Sequence, residues 1–189
     1  MKTKLCRYLK NLGACAPALN WIDADSLNNS QIAWNTCPDA SWLFWVVAKH
    51  LGKPGWPTYQ EIVLAACDCA EAVLHLIPDG EYRPRIAIYT ARLWAGGWAT
   101  TEECEEAADA AYQAALDNAH VTYTVYAADA AFYAADAACF AVYDSGYYAS
   151  RAAYSAVRAI WRFGGNFRKA HADVVDIVRK RLYIGEVAL

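Results

Sequence analysis

Apolar residues recur along most of this chain at steps of three and four, the spacing that gathers them on one face of an α-helix. Period-two alternation with β-branched residues is confined to Val121 to Val125, the only strand-like run. The pattern predicts short helices over Lys2 to Leu12 and Ala16 to Ile22, parted at Gly13. A third, QIAWNTC, follows the capping residues between Ser26 and Ser30 and stops at Pro38. Asp39 is placed to cap the next, SWLFWVVAKHL, where Trp42, Trp45 and Val46 share a face and Gly52 ends the run. A longer helix is expected from Thr58 to Ile77, ending at Pro78-Asp79-Gly80, and another from Pro84 to Ala95 before Gly96-Gly97. Thr100 and Glu103 have the spacing of a capping box, the best-marked helix start in the chain.

From Thr101 to Phe163 there is no proline and a single glycine. One helix of that length would span about 90 Å at about 1.5 Å per residue, well beyond the diameter of a domain this size. The segment must therefore fold back, with hinges expected at Asn118 to Thr124 and at Asp144-Ser145-Gly146. Three antiparallel helices result, and a basic last helix runs from Phe167 to Tyr183. The predicted fold class is all-α: a compact bundle of about eight helices with long Ala-rich antiparallel helices in the C-terminal half.

Composition agrees with a single domain over 1–189. Of 189 residues 57% are apolar, 14% aromatic and 20% charged, which excludes a disordered or collagen-like chain and suffices for a sizeable core. Within it, 1–97 is rich in tryptophan and 100–183 in alanine and tyrosine. A net charge of −3 argues against a dedicated nucleic-acid binder. The basic opening MKTKLCRYLK is followed by Asn11, Gly13, Pro17 and Asn20 instead of the apolar run of an export signal. The richest apolar stretch, Ala127 to Tyr143, carries Asp129 and Asp136, which a membrane span would not tolerate cheaply. A cytoplasmic protein without membrane attachment is expected, with its seven cysteines reduced and mostly buried. Cys67 and Cys69 point to different sides of a helix and are expected in the core, not on a metal.

Two patterns stand out in the C-terminal half. Between Ala107 and Ala159 there are 21 alanines in 53 residues, and Tyr126, Tyr133, Phe140, Tyr147, Tyr154 and Trp161 follow one another at intervals of seven. Such a column describes either a helix–helix seam or an aromatic wall for a planar ligand. Asp129 and Asp136, three residues after Tyr126 and Tyr133, are candidate partners for the tyrosine hydroxyls, or are solvated. Charge is also segregated. No Lys or Arg occurs from Leu93 to Ser150, which holds nine carboxylates, whereas Arg151 to Arg181 carries eight cations against Asp173 and Asp176. This is either internal complementarity, the basic last helix lying beside acidic ones, or one pole facing a charged partner.

Catalytic signatures are lacking: no nucleophile elbow, phosphate-cradling loop, zinc-protease motif or paired histidines, and the four histidines are scattered. His75, on an apolar helix, is expected in the core. Arg83-Pro84-Arg85 at a helix start suits an anion, or ion pairs with Glu81 and Asp79. No catalytic residue, metal or cofactor is assigned.

The segments KNLGACAPALNWI, IAWNTCPDASWLFWVVAKHL, IVLAACDCAEAVLHLIP and DGEYRPRIAIYTARLWAGG, with the A-A-D-A-A-Y repeats, give a pattern over Leu9 to Val178 that resembles the immunity proteins of the fifth class, which occur in bacterial polymorphic-toxin neighbourhoods and phage genomes. The resemblance implies an all-helical, non-catalytic protein that neutralises a cognate toxin or immune effector by binding it. The alternative is a phage-encoded sponge that holds a nucleotide-derived signalling molecule between aromatic and arginine side chains. The residues singled out for partner or ligand contact are Asp39, Trp42, Trp45, Arg83, Arg85, Trp94, Tyr126, Asp129, Tyr133 and Asp136. Self-association through the Ala-rich helices is a further expectation.

Overall fold

Local signals set most helix starts. In the computed structural model, which describes residues 3–182 and 184, side chains of Thr3, Asn29, Asp39, Thr58, Thr100 and Asn166 each accept a backbone N–H in the first turn that follows them. Thr100 and Glu103 close the expected capping box, and Thr58 with Glu61 closes a second one. The helices are α1 (Lys4–Asn11), α2 (Ala16–Ala24), α3 (Ser30–Thr36), α4 (Ala40–Ala48), α5 (Tyr59–Glu71), α6 (Arg83–Ala95), α7 (Thr101–Asp117), α8 (Thr122–Cys139), α9 (Ala141–Arg162) and α10 (Phe167–Arg181). A 3₁₀ turn, Leu74–Leu76, follows α5. The all-α bundle is as expected, with ten α-helices among the described residues instead of about eight. The expected helix limits at Lys2 and Tyr183 lie outside the described residues.

Three boundaries differ from expectation, each for a tertiary reason. The helix expected to reach Ile77 ends at Glu71, and the tighter turn after it buries Val73, Leu74 and Leu76 together while His75 faces outward. The strand-like Val121 to Val125 run opens α8 instead, because no strand lies among the described residues to pair with it. There Thr124 is buried and its hydroxyl donates to the Leu76 carbonyl at 3.4 Å. The second reversal is spread over Phe140 to Asp144: Phe140 leaves helical geometry, and Asp144 does so again at φ −158°, ψ 38°.

α8 is the axis of the molecule. Its alanines 127, 128, 130, 131, 134, 135, 137 and 138 are buried on all sides, against α7 and α9 chiefly and against α5 and α6 as well. Methyl-sized side chains let these backbones approach closely, so most of the alanines from 107 to 159 become the packing surface of three antiparallel helices, while Ala119 is exposed in the turn between α7 and α8. α4 rests on α9 where Gly146 leaves no room for a side chain: a Cβ there would lie 2.3 Å from the Ala48 Cβ. α10 covers α4, α5 and α9. Asp68 on α5 takes Arg92 of α6 and Arg181 of α10 at 2.9 and 2.7 Å, tying three helices. Among the described residues no helix is long and apolar enough to cross a membrane.

Candidate functional site

The heptad column does not form one stripe. The reversal at Phe140 folds it, so that Tyr126 and Tyr133 on α8 lie opposite Tyr154 and Trp161 on α9, and two arginines enter between them. Arg151 Nη2 donates to the Tyr133 hydroxyl and Arg158 Nη2 to the Tyr126 hydroxyl, each at 2.9 Å. The guanidinium of Arg151 lies 4.9 Å from the Tyr133 ring centre. That of Arg158 lies 5.0 Å from Tyr126, 5.7 Å from Tyr154 and 5.3 Å from Trp161. These are distances at which a cation is attracted to the ring face. The result is a ladder of alternating guanidinium and aromatic groups that is only half covered: Tyr154 is 41% exposed. Arg162 continues it over the Trp161 ring at 4.4 Å. At the tip of the hairpin, Phe140 stacks on Tyr148 instead of extending the column.

The expected tyrosine–aspartate pairing is therefore corrected: the hydroxyls are taken by α9 arginines, which bring both a donor and a positive charge. Asp129 stands near Arg151, which draws its pKa down against the larger upward push of burial. Asp136 turns the other way, toward α7. It is buried, and burial together with Asp109 and Glu105 pushes its carboxyl up to about 7.

Asp39, Trp42 and Trp45 do cluster at α4, but not on one ligand. Asp39 accepts the Ser41 N–H at 2.8 Å as the helix cap. With Trp42 it lines an open hollow of about 610 Å³ that also meets Phe167, His171 and Arg179. Trp42 also packs against Trp21, ring centres 5.9 Å apart. Trp45 reaches a cavity between α4 and α9, and the two tryptophans also border one small apolar hollow together with Trp21 and Trp34.

Arg83, on α6, donates through its Nε to Glu81 at 2.9 Å and through Nη2 to Asp117 at 2.7 Å, so its charge is used in joining the start of α6 to the end of α7. Of the two carboxylates expected for it, Glu81 is the partner, and Asp117 takes the place of Asp79. Arg85 is exposed, and Trp94 is half-buried against the core. The three are not brought together with the ladder.

Two other expectations change. His75 is exposed, its ring edge against Phe163, and the buried histidine is His50. Its Nδ1 donates to the Val46 carbonyl and its Nε2 accepts from the Tyr8 hydroxyl at 2.7 Å, while the ring stacks 3.9 Å from Trp56. Burial lowers its pKa. The basic α10 lies not beside α7 but on α4, α5 and α9, its cations meeting Asp68, Asp173 and Asp176. Glu102, Glu103, Glu105, Glu106 and Asp109 are left exposed on α7. Cys67 and Cys69 are buried in α5 as expected, the first with its thiol pushed up to about 12 by burial; Cys15 is exposed. Among the described residues no three His, Cys, Asp or Glu side chains are grouped so as to hold a metal ion.

Arg151 and Arg158 are the site residues that sequence reasoning passed over. Their own spacing of seven, each four residues after a tyrosine of the column, was the available signal. Comparison of the chain with family models, curated proteins and solved structures gives no match.

Proposed function

We propose that this protein is a non-catalytic binding protein of the immunity type, which neutralises a toxin or immune effector by covering it with the exposed side of the α8–α9 ladder. The observation that supports this reading is the ladder's composition and its rigidity. Arginine, tyrosine and tryptophan are the residues in which interface binding energy concentrates. Here they are held in place by hydrogen bonds and ring contacts before any partner arrives. Side chains already fixed lose less conformational freedom on association. The Nε atoms of Arg151 and Arg158 are buried without a hydrogen-bond partner, so both side chains sit deep in the seam with only part of each guanidinium turned outward. The partner face that fits is one carrying carboxylates and flat apolar side chains.

Co-expression with candidate toxins or effectors, any product of an adjoining gene first, tests the reading. The wild-type protein is expected to restore growth, and the doubly substituted Tyr154→Ala/Arg162→Ala protein, altered only at exposed positions, is expected to lose most of that protection. Full protection by the double variant would remove the ladder from the interface; no protection by the wild type would remove the immunity function.

A further inference from the structure

Four of the five most exposed large apolar side chains among the described residues belong to α6 and its two ends: Trp98 at 82%, Tyr82 at 63%, Tyr89 at 62% and Ile86 at 54%. The register of α6 makes them one surface. Tyr82, Ile86, Tyr89 and the half-buried Leu93 follow at steps of four, three and four, the spacing of the apolar seam of a coiled coil. Tyr82 belongs to the first turn, since its carbonyl accepts the Ile86 N–H at 2.9 Å. The next seam position is Gly96, and it is filled from outside the helix. Gly97 turns the chain back at φ +78°, the Trp98 N–H donates to the Leu93 carbonyl at 2.8 Å, and Trp98 Cδ1 lies 2.9 Å from where a Gly96 Cβ would be. The stripe thus runs along about 20 Å of helix. The opposite face of α6, with Pro84, Ala87, Ile88 and Ala91, is buried in the core. A contiguous apolar surface left in water marks an interaction site.

The flanks define the partner's charge. α7 lies antiparallel along one of them: Asp117 near its end meets Arg83, and the Cys104 thiol donates to the Thr90 carbonyl. Glu106 precedes Asp117 by eleven residues, three turns, and Glu102 stands one turn earlier, so both share the side of α7 that faces α6. They lie toward the Leu93 and Trp98 end of the stripe, are exposed, and enter none of the ion pairs among the described residues. On the other flank stands the exposed Arg85, seven residues before Arg92, which reaches Asp68 of α5. We infer that this stripe docks an amphipathic helix of a partner protein, with apolar residues at heptad spacing and lysine or arginine along the flank that meets Glu102 and Glu106. A second copy of the chain does not supply that charge. In a symmetric antiparallel pairing of two α6 helices Arg85 falls on the flank away from the partner's α7, and in a parallel one it falls at the Tyr82 end, away from Glu102 and Glu106. The surface uses none of the ladder residues and stands whether or not the ladder binds an effector.

Anisotropy titration of the full chain against two labelled three-heptad helical peptides tests the assignment. Both carry leucine at the seam positions and glutamine along one flank; the other flank is lysine in the first and glutamate in the second. The lysine peptide is expected to bind saturably in the micromolar range, about tenfold or more tighter than the glutamate peptide. Ile86→Glu, at an exposed position, is expected to weaken it by about tenfold or more with the unfolding midpoint unchanged, and Glu102→Gln/Glu106→Gln by about three- to tenfold. Tyr154→Ala, on the ladder, should leave the affinity as it was. The inference is overturned if the lysine peptide does not bind below millimolar concentration, if the glutamate peptide binds as tightly, or if Ile86→Glu binds like the wild type. A free protein that sediments as a dimer, and that Ile86→Glu dissociates, would also overturn it by giving the stripe to a second copy.

Discussion

Arg158 donates to the Tyr126 hydroxyl at 2.9 Å while its guanidinium lies 5.0 Å from the centre of the same ring, so one side chain makes both a hydrogen bond and a cation–ring contact across the α8–α9 seam. Removing it by Arg158→Ala is expected to cost about 1 to 2 kcal/mol, and Tyr126→Phe about 1 kcal/mol. The double variant should cost less than the two together by about 1 kcal/mol, because each single change already breaks the shared bond. Arg158→Lys should recover little, since an ammonium cannot lie flat on the ring and reach the hydroxyl as well. Urea unfolding of the four proteins checks this; strict additivity would show that the pair is not coupled.

Asp136 faces Glu105 and Asp109 from α7 and lies near Tyr148 of α9 and Cys139 of its own helix. Its carboxyl is raised from an ordinary 3.8 to about 7 by burial and these neighbours. Between those two values the folded chain holds a proton that the unfolded chain has lost, so this group's contribution to stability falls as pH rises from about 4 to about 7 and then levels off. Asp136→Asn should flatten that slope and stabilise the protein at pH 8 by about 1 to 2 kcal/mol, allowing for solvent screening. Denaturation midpoints of both proteins at pH 5 and pH 8 give the answer; equal midpoints at pH 8 would place the carboxylate in water.

His50 acts in the opposite sense. Its pKa is lowered by burial, so the unfolded chain takes up a proton more readily, and the stability that the neutral ring contributes is present above about pH 6.5 and lost as pH falls. Tyr8→Phe strips Nε2 of its donor and is expected to cost about 1 kcal/mol at pH 8. Thermal melts at pH 8 would show a lowered midpoint, and an unchanged one would mean that Nε2 finds water instead.

Gly146→Ala would force a methyl group to within 2.3 Å of the Ala48 Cβ. Since both neighbours belong to packed helices, a loss of about 1 to 3 kcal/mol is expected. Ala48→Gly introduced alongside should restore much of it, because the clash is between those two groups. Failure of the second change to rescue the first would locate the constraint in the Phe44 carbonyl, 3.4 Å from the same position.

What could be read from the chain in advance was what depends on near neighbours. The capping box at Thr100 involves residues three apart, and the start of its helix falls at the expected residue. The break at Glu71 was missed because it answers to burial of Val73, Leu74 and Leu76 against helices far along the chain. The expectation of a core position for His75 fails for the same reason: the interior histidine is His50, for which the sequence carries no expectation, and the docking of Tyr8 and Trp56 is what encloses it. The aromatic column was visible, but its partners were not. Tyr126 and Arg158 are separated by a hairpin whose turn comes at Phe140, and an aspartate three residues away looked like the nearer mate.

The ladder also answers a difficulty that alanine creates. Two helices coated in methyl groups have nearly the same surface at every turn, so one can slide along the other with little change in buried area. Tyr126 with Arg158 and Tyr133 with Arg151 remove that freedom. A slip of one heptad in one direction would set Arg151 opposite Phe140, which has no hydroxyl, and Tyr126 opposite Gly165; in the other it would leave Arg158 facing the α7–α8 turn. The two rungs therefore work as a vernier: only one alignment of α8 and α9 matches both, and every position measured from that hairpin, including the kink at Asp144, inherits its placement from them.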